Sequence, residues 1–513
     1  MSRPTWLQAS FLLMGLTLLS RLMGYFRDTM IALRFGASAT TDAYLIAFTL
    51  PSYLVGIISG AINAVLLPQV ARRLSADDQV GAWRLVAGAV GWVSLSTAVL
   101  IAVLELGAPV VLHLLAPGFR PAELALAVSL ARILLLYVFF SSLAYLFGAV
   151  LNAHHRFVYA ALAPSLLSGA AVAVMVFMAN PPIHLVALAL LAGSVLQLLM
   201  QVLPLVRSGL SYLAWPRLSD PGVRHMVRLS VPTFASNSVG SGNVMIDRIF
   251  GSTLATGSIA ALAFADRVVQ VPFGVFGAAV STALFPRFAE ALESKQPGRL
   301  VRAFSGGVRL IVLITFPVAA LMLFLAPPLI DVLFRHGAFT QQAADLTALC
   351  LRAYALALIP YSLNMVMMRV YYSLEKTAEL AVLGVGMLAL NAIGDAILVR
   401  VMGAPGIALA TVLVEGSFSW LLISRLRPHL PGLDLRSLVR ASAPVALSAV
   451  LAGAVASVVS GLLPVASTLQ AAGATLAGVV VLACLFYGFC RGLRVPEARR
   501  LGELRALLAP QKP

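Results

Sequence analysis

Charged side chains are scarce in this sequence. Only 11% of the 513 residues are Asp, Glu, Lys or Arg, whereas 60% are hydrophobic, and the mean hydropathy is +0.95. A soluble globular chain has about a quarter of its residues charged. Nearly the whole chain can be divided into apolar lengths of about 20 residues, which is what a helix needs to cross a bilayer. The composition therefore excludes a sizeable soluble domain and predicts a polytopic membrane protein.

Cysteine pairs and enzyme motifs are also missing. The three cysteines, Cys350, Cys484 and Cys490, lie in or beside apolar runs, without the spacing of a disulfide framework or a zinc site. The sequence has no Gly-rich loop followed by Lys-Ser/Thr, no metal-binding His/Glu helix and no elbow motif around a serine. The formal charge of +16 is spread over short loops and forms no aromatic-interleaved patch. We therefore expect neither an enzyme nor a nucleic-acid-binding protein.

Polar residues and Pro/Gly punctuation divide the apolar sequence into about fourteen predicted membrane-spanning helices. Lys and Arg collect in alternate loops, which predicts that both termini are cytoplasmic. The first apolar segment lacks the small-residue cleavage site of a signal peptide, so we expect it to be retained as a helix. The predicted spans are 5–35, 40–71, 83–115, 124–152, 158–179, 183–206, 223–254, 258–290, 301–331, 341–373, 378–400, 404–424, 438–461 and 467–490.

An internal repeat is visible in one register. LAPGFRPAELALAVSLARILLLYVFFSSL, from Leu115, resembles RHGAFTQQAADLTALCLRAYALALIPYSL, from Arg335, and LLPQVARRL from Leu66 echoes LFPRFAEAL from Leu284 at nearly the same offset. The alternative is a chance likeness between leucine-rich helices. The repeat predicts an all-α protein with two six-helix lobes in parallel orientation around a central cavity, followed by two C-terminal helices. The expected divisions are 1–215, 216–430 and 431–513.

Several charges fall inside predicted spans. A charge at mid-membrane costs about 2.5 to 3.5 kcal/mol on insertion scales, so such residues tend to face a protein interior or a wet cavity. Arginine suits the bidentate binding of phosphate, so a cavity with several arginines favours an anionic headgroup. The alternatives are snorkelling near a helix end and structural ion pairs. The residues concerned are Arg21, Arg27, Asp28 and Asp42 in the segment Ser20–Pro51, and Asp266 and Arg267 in the eighth span.

A second polar set has the character of a cation site. Asp247 lies in the seventh span, Asn391 and Asp395 are four residues apart in the eleventh, and Thr411 lies in the twelfth. All are oxygen ligands, which suit a hard cation such as sodium, or a proton. The alternatives are hydrogen bonds between helices, worth about 0.6 kcal/mol each, and an ion pair between Asp247 and Arg248.

Six segments carry a resemblance to a known family. They are SRLMGYFRD, TTDAYLIAFTLP, LLPQVARRL, LAPGFR, GAVLNAHHRF and FADRVVQVPFGVFGAAVSTALFP. Together, and in this order along almost the whole chain, they resemble the MurJ (MviN) family of lipid II flippases in the multidrug/oligosaccharidyl-lipid/polysaccharide (MOP) exporter superfamily. The resemblance implies fourteen helices in two lobes around a V-shaped cavity, alternating access, and a groove for a polyprenyl tail at the last two helices.

The resemblance also implies roles for particular residues. The family's cavity arginines fall on Arg21, Arg27 and Arg267 and its essential aspartate on Asp42, so that these, with Asp28 and Asp266, form the expected substrate site. The sodium site of some members falls on Asp247, Asn391, Asp395, the carbonyl of Ile407, and Thr411. One position departs from the family, because Val55 stands where an arginine is usual.

The function implied is a flippase that carries lipid II, the undecaprenyl-pyrophosphate-linked peptidoglycan precursor, from the cytoplasmic to the periplasmic leaflet of the inner membrane. Sodium or the membrane potential is the expected driving force, and membrane lipids and the cell-wall synthesis machinery are the expected partners. Three alternatives stay open: a flippase for another lipid-linked oligosaccharide of O-antigen type, to which the Val55 departure points, a drug/cation antiporter, and a membrane scaffold for cell-wall enzymes. The intramembrane arginines argue against the antiporter.

Overall fold

A computed structural model describes residues 6–207, 224, 228, 242–294, 296–463, 468–493 and 495. All regular secondary structure within these residues is helical. The helices are α1 Trp6–Phe35, α2 Ala39–Ser75, α3 Gln79–Leu115, α4 Pro121–Ala153, α5 Phe157–Phe177, α6 Ile183–Val206, α7 at 242–252, α8 Ser258–Pro272, α9 Ala278–Glu293, α10 Pro297–Phe324, α11 Ala326–Leu333, α12 Gln341–Ser373, α13 Thr377–Met402, α14 Ala404–Leu426, α15 Leu435–Gly461 and α16 Thr468–Gly492.

Twelve helices of the described part are long and apolar enough to cross a membrane. They are α2 to α6, α8 with the turn that follows it, α10, and α12 to α16. The two other expected spans are the first, where α1 has 30 residues, and the seventh, of which only 224, 228 and 242–252 lie within the described residues. The prediction of an all-helical, multi-pass membrane protein is confirmed.

Prolines mark the irregularities of the long helices. The expected span 258–290 is α8 and α9 joined by a π turn at Phe273–Gly277, directly after Pro272, whose missing N–H interrupts the regular hydrogen-bond ladder. The expected span 301–331 is wrong at its C-terminal end, since α10 stops at Phe324 and α11 begins after Leu325. Pro327 and Pro328 stand in the first turn of α11, the position where a helix tolerates proline.

The chain forms two compact units, residues 1–260 and 261–513. In the first unit, a core of aliphatic side chains joins α2, α3 and α4, including Leu66, Val70, Leu85, Val138 and Val150. In the second, α9, α10, α12 and α14 share a core that includes the buried aromatic side chains of Phe288, Phe304 and Tyr371, together with Leu422. The division into 1–215, 216–430 and 431–513 rests on the sequence repeat and stays a prediction.

The two copies of the repeat have the same local structure. Helices α4 and α12 each have 33 residues, and they begin and end at equivalent positions of the sequence register. Each is followed by a residue with φ +58°, His155 after α4 and Glu375 after α12. The closing hydrogen bonds also correspond, from Arg156 N to the Leu151 carbonyl and from Lys376 N to the Tyr371 carbonyl. This equivalence supports the internal repeat.

Candidate functional site

Arg27 lies in a buried ion pair on α1. Its Nε and Nη2 donate to one carboxylate oxygen of Asp28 at 3.0 and 2.8 Å, and the two side chains are 9% and 13% exposed. The guanidinium stands over the ring of Phe48, 5.4 Å from its centroid. Tyr44 and Tyr137 flank Phe48, with ring centroids 6.0 and 5.9 Å away. Aromatic faces and a carboxylate therefore hold this cation in place where little water reaches it.

The other arginines of α1 have different surroundings. Arg21 is exposed, about 9 Å along the helix from Arg27 at the usual rise. The Nε and Nη1 of Arg34 donate to the carbonyls of Met175 and Ala179 at 2.9 and 2.8 Å. Met175 lies in the last turn of α5 and Ala179 lies two residues beyond its end, a place where cations are favoured. Arg34 therefore links α1 to the C-terminal end of α5.

Asp42, in the first turn of α2, caps another helix. Its two carboxylate oxygens accept hydrogen bonds from the backbone N–H groups of Gly257 at 2.6 Å and Ala260 at 2.8 Å. Gly257 directly precedes α8 and Ala260 is its third residue, so Asp42 supplies the acceptor that an N-cap side chain normally provides. The side chain is nearly fully buried, and in this conformation both of its oxygens bind the start of α8.

The turn between α7 and α8 fits closely against two other turns. Gly257 has φ +90°, and a Cβ there would lie 2.6 Å from the carbonyl oxygen of Ala37, in the α1–α2 turn. The N–H of Gly118, in the α3–α4 turn, donates to Ser252 Oγ at 3.3 Å. We call the contacts of Asp42, Gly257, Gly118 and Ser252 the turn clamp. Sequence reasoning singled out Asp42 alone, and a glycine in a polar turn carried no signal of this contact.

Asp266 and Arg267 lie on α8, in the second unit. Asp266 is half-buried and accepts a hydrogen bond from Gln270 Nε2 at 3.4 Å, while Arg267 is exposed. Thus Arg21, Arg27, Asp28 and Asp42 belong to one compact unit, and Asp266 and Arg267 to the other.

The polar residues of the predicted cation site are deeply buried on α13 and α14. Asn391 and Asp395 are 0% exposed, and Asn391 Nδ2 donates to Asp395 Oδ2 at 3.4 Å. Thr411 is also buried, and its hydroxyl donates to the carbonyl of Ile407 at 3.3 Å. On α13 the apolar side chains of Ile393 and Ile397 are exposed instead. This helix buries its amide and carboxylate and exposes its isoleucines. Such an arrangement indicates that the polar side chains serve a function inside the protein.

Asp247, the remaining expected ligand, is half-buried on α7 in the first unit. Its neighbour Arg248 donates from Nη1 to the carbonyl of Ile259 at 2.8 Å, at the start of α8. The four residues of the second unit supply a carboxylate, an amide, a hydroxyl and a carbonyl, all oxygen donors, which fits a hard monovalent cation.

Val55 is buried within the core of α2, α3 and α4. An aliphatic side chain satisfies that position by packing, so the departure from the family's usual arginine is accommodated structurally. With Val55 in this position, the first unit has one cation fewer than the resemblance implies.

The fold defines the class of protein. It is similar to a solved lipid II flippase MurJ in an inward closed conformation, with a TM-score of 0.79, 23% sequence identity, and coverage of 94% of this chain and 99% of that one. It is also similar to an inward-facing multidrug resistance MATE family transporter of the MOP superfamily, with a TM-score of 0.68, 16% identity, and coverage of 84% and 99%. The protein therefore has the fold of the MOP superfamily transporters.

Sequence comparison identifies the family. The family model for the lipid II flippase MurJ matches residues 31–481. The lipid II flippase MurJ of Burkholderia cenocepacia is 30% identical over 410 residues, which are 77% of this chain and 79% of the relative. A probable lipid II flippase MurJ of Rhizobium meliloti is 29% identical over 489 residues, 92% and 91% of the two chains. The chain belongs to the MurJ family, whose members are named as flippases, that is transporters and not enzymes.

Proposed function

We propose that this protein carries lipid II from the cytoplasmic to the periplasmic leaflet of the bacterial inner membrane by alternating access, with both termini in the cytoplasm. The match to the MurJ family over residues 31–481 is the observation that carries the proposal. The lipid is delivered on the side where the cell-wall synthesis machinery works, while its polyprenyl tail stays among the membrane lipids.

The Arg27 pair supports an anionic substrate. Both hydrogen bonds to Asp28 use the Nε and Nη2 side of the guanidinium, so the planar group keeps a second edge with which it can contact a pyrophosphate. The aromatic side chains around it exclude water, which strengthens a charge-charge contact. We propose that Arg27 contacts the pyrophosphate, with Arg21 and Arg267 as further cationic contacts.

The turn clamp supports a change between two conformations. Its bonds join turns far apart in the sequence, and a hydrogen bond to a charged group such as the Asp42 carboxylate is worth about 1.5 to 3 kcal/mol net. A few such bonds stabilise one conformation by a free energy that is small enough for a substrate or an ion to overcome by binding the other conformation more tightly. We propose that release of the α7–α8 turn from Asp42 accompanies the change of access.

Sodium or the membrane potential supplies the driving force in this proposal. One elementary charge crossing the full potential gains about 2.3 kcal/mol per 100 mV. Asn391, Asp395, Ile407 and Thr411 in the second unit, with Asp247 in the first, are the proposed sodium ligands.

Sodium is expected to raise the melting temperature of the purified wild type and not that of Asp395→Ala, because the variant loses the carboxylate of the proposed site. A ligand at 100 times its Kd stabilises by about 2.7 kcal/mol. The measurement is thermal unfolding in detergent with sodium or potassium chloride at equal ionic strength. Asp345→Ala is the matched control, since Asp345 accepts from Gln341 in an exposed position on α12. Equal sodium shifts in wild type and Asp395→Ala would contradict the assignment.

Growth rescue tests the substrate. In a strain depleted of its own lipid II flippase, this protein is expected to restore growth, with its presence in the membrane checked by immunoblot. Absence of rescue by well-expressed protein would favour the second candidate, a flippase for another lipid-linked oligosaccharide. The observation that favours this second candidate is Val55, which is buried in the position where the resemblance implies an arginine.

A further inference from the structure

A carboxylate on α14 lies outside the predicted sites. Glu415 is one helical turn beyond Thr411, about 6 Å along the axis. Its carboxylate accepts a hydrogen bond from Asn364 Nδ2 on α12 at 2.8 Å, and its backbone carbonyl accepts from the same group at 3.2 Å. Ser419 completes the cluster by donating to Asn364 Oδ1 at 2.6 Å. Asn364 is 4% exposed, and Glu415 and Ser419 are half-buried, so the cluster lies at the contact between two membrane-spanning helices.

The basic residues of the helices packed against Glu415 have other partners or are exposed. On α12, Arg369 is directed to α9, where its Nε donates to Ser281 Oγ at 3.1 Å and its guanidinium stands over Phe285. Arg352 of α12 and Arg400 of α13 are exposed. Arg425 of α14 pairs with Glu379 of α13 at 3.7 Å.

The remaining titratable groups on these helices do not neutralise a carboxylate. Tyr371 of α12 donates its hydroxyl to the Leu422 carbonyl at 3.3 Å, and Asp395 of α13 binds Asn391. The other titratable groups on these two helices carry no positive charge; they are Asp345, Cys350, Tyr354, Tyr361 and Tyr372 of α12 and Glu379 of α13. Within the part of the chain that the structure describes, Glu415 has a neutral amide as its hydrogen-bond donor and no ion pair.

We propose that Glu415 is a proton-binding site of the transporter, at which the carboxyl group takes up and releases H⁺ with Asn364 and Ser419 as its polar partners. Burial disfavours the charged form of a carboxyl group and a donated hydrogen bond favours it, so opposing influences act on the two protonation states. Ionisable side chains within membrane-spanning segments are rare, and they mark ion pathways and proton relays.

The hydrogen-bond pattern favours a proton over a metal ion. Asn364 Nδ2 and Ser419 Oγ direct their hydrogens at oxygens inside the cluster. A sodium ion would need those same oxygens and would have to displace the donors, whereas a proton adds to the carboxylate without displacing them. Glu415 would bind an ion and not the lipid, so a protein that fails this test could still carry lipid II, and a protein that passes it could carry another lipid.

Infrared difference spectroscopy of the full-length protein in lipid vesicles tests the proposal. When the buffer is cycled between alkaline and acidic pH, we expect the C=O stretch of neutral carboxylic acids to appear in the wild type, and we expect Glu415→Gln to lack the one component that Glu415 contributes. Glu379→Gln is the matched control, because it removes a partly exposed carboxylate of the same unit and should leave the band in place.

A second variant keeps the carboxyl group and changes its partner. Asn364→Leu removes the donated hydrogen bond, so the band is expected to persist to a pH about one unit higher than in the wild type. Identical wild-type and Glu415→Gln spectra would overturn the proposal. So would a Glu415 band that does not change with pH, because the group would then be a permanently neutral hydrogen-bond partner.

Discussion

Arg27→Ala is expected to abolish growth rescue in a strain depleted of its lipid II flippase, while the variant still reaches the membrane. The substitution removes the proposed pyrophosphate contact and separates Asp28 from its guanidinium. Breaking a buried ion pair by removing one partner costs about 3 to 5 kcal/mol, and the exposure of these side chains, 9% and 13%, places the pair near that case. Growth and membrane abundance are measured together, and Arg267→Ala is expected to give the same result.

A double variant separates transport from stability. In Arg27→Ala/Asp28→Ala no buried carboxylate loses its partner, so stability should recover relative to Arg27→Ala. If Arg27 binds the substrate, the double variant stays inactive, and Arg27→Lys recovers little because an ammonium lacks the planar fork of the guanidinium. Arg132→Ala, which removes a side chain 56% exposed, should behave as the wild type. Rescue by the double variant would remove Arg27 from the site and leave it a structural role.

Asp42→Ala is expected to lower the melting temperature and to abolish rescue. The substitution leaves the N–H groups of Gly257 and Ala260 without their acceptor, and each buried unsatisfied group costs about 1 to 3 kcal/mol. Asp42→Asn keeps one acceptor oxygen and should lose about half of that stability. Thermal unfolding in detergent and growth rescue are the two measurements.

Gly257→Ala should weaken the same clamp from its other side. Its φ of +90° is unfavourable for alanine, and the added Cβ would lie 2.6 Å from the Ala37 carbonyl oxygen. Gly461→Ala is the control, since a Cβ there meets nothing within 4 Å. Wild-type melting temperature and rescue in both Asp42→Ala and Gly257→Ala would show that the turn clamp has no part in stability or transport.

The sequence by itself determined that this is a multi-pass membrane protein, where most of its long helices begin and end, and that it contains an internal repeat. Each is a local property, because hydropathy over about 20 residues marks a span and proline or glycine marks its end. The register that aligns Phe119 with Phe339 also aligns the first and last residues of α4 with those of α12. It also aligns His155 with Glu375, which both have φ +58°. Local sequence missed the break at Leu325, because Pro327 and Pro328 suit the first turn of a new helix and lie within an unbroken apolar run.

Only the tertiary structure decided which polar groups meet. Asp42 binds the start of α8, far along the chain, and Glu415 binds Asn364 on a different helix. Helical periodicity assigns a side chain to a face of its own helix, whereas its partner is set by how distant helices pack. A buried polar group must find a hydrogen-bond partner wherever that packing places one, and so Arg27 and Asp28 pair with each other while Asp42 caps a helix.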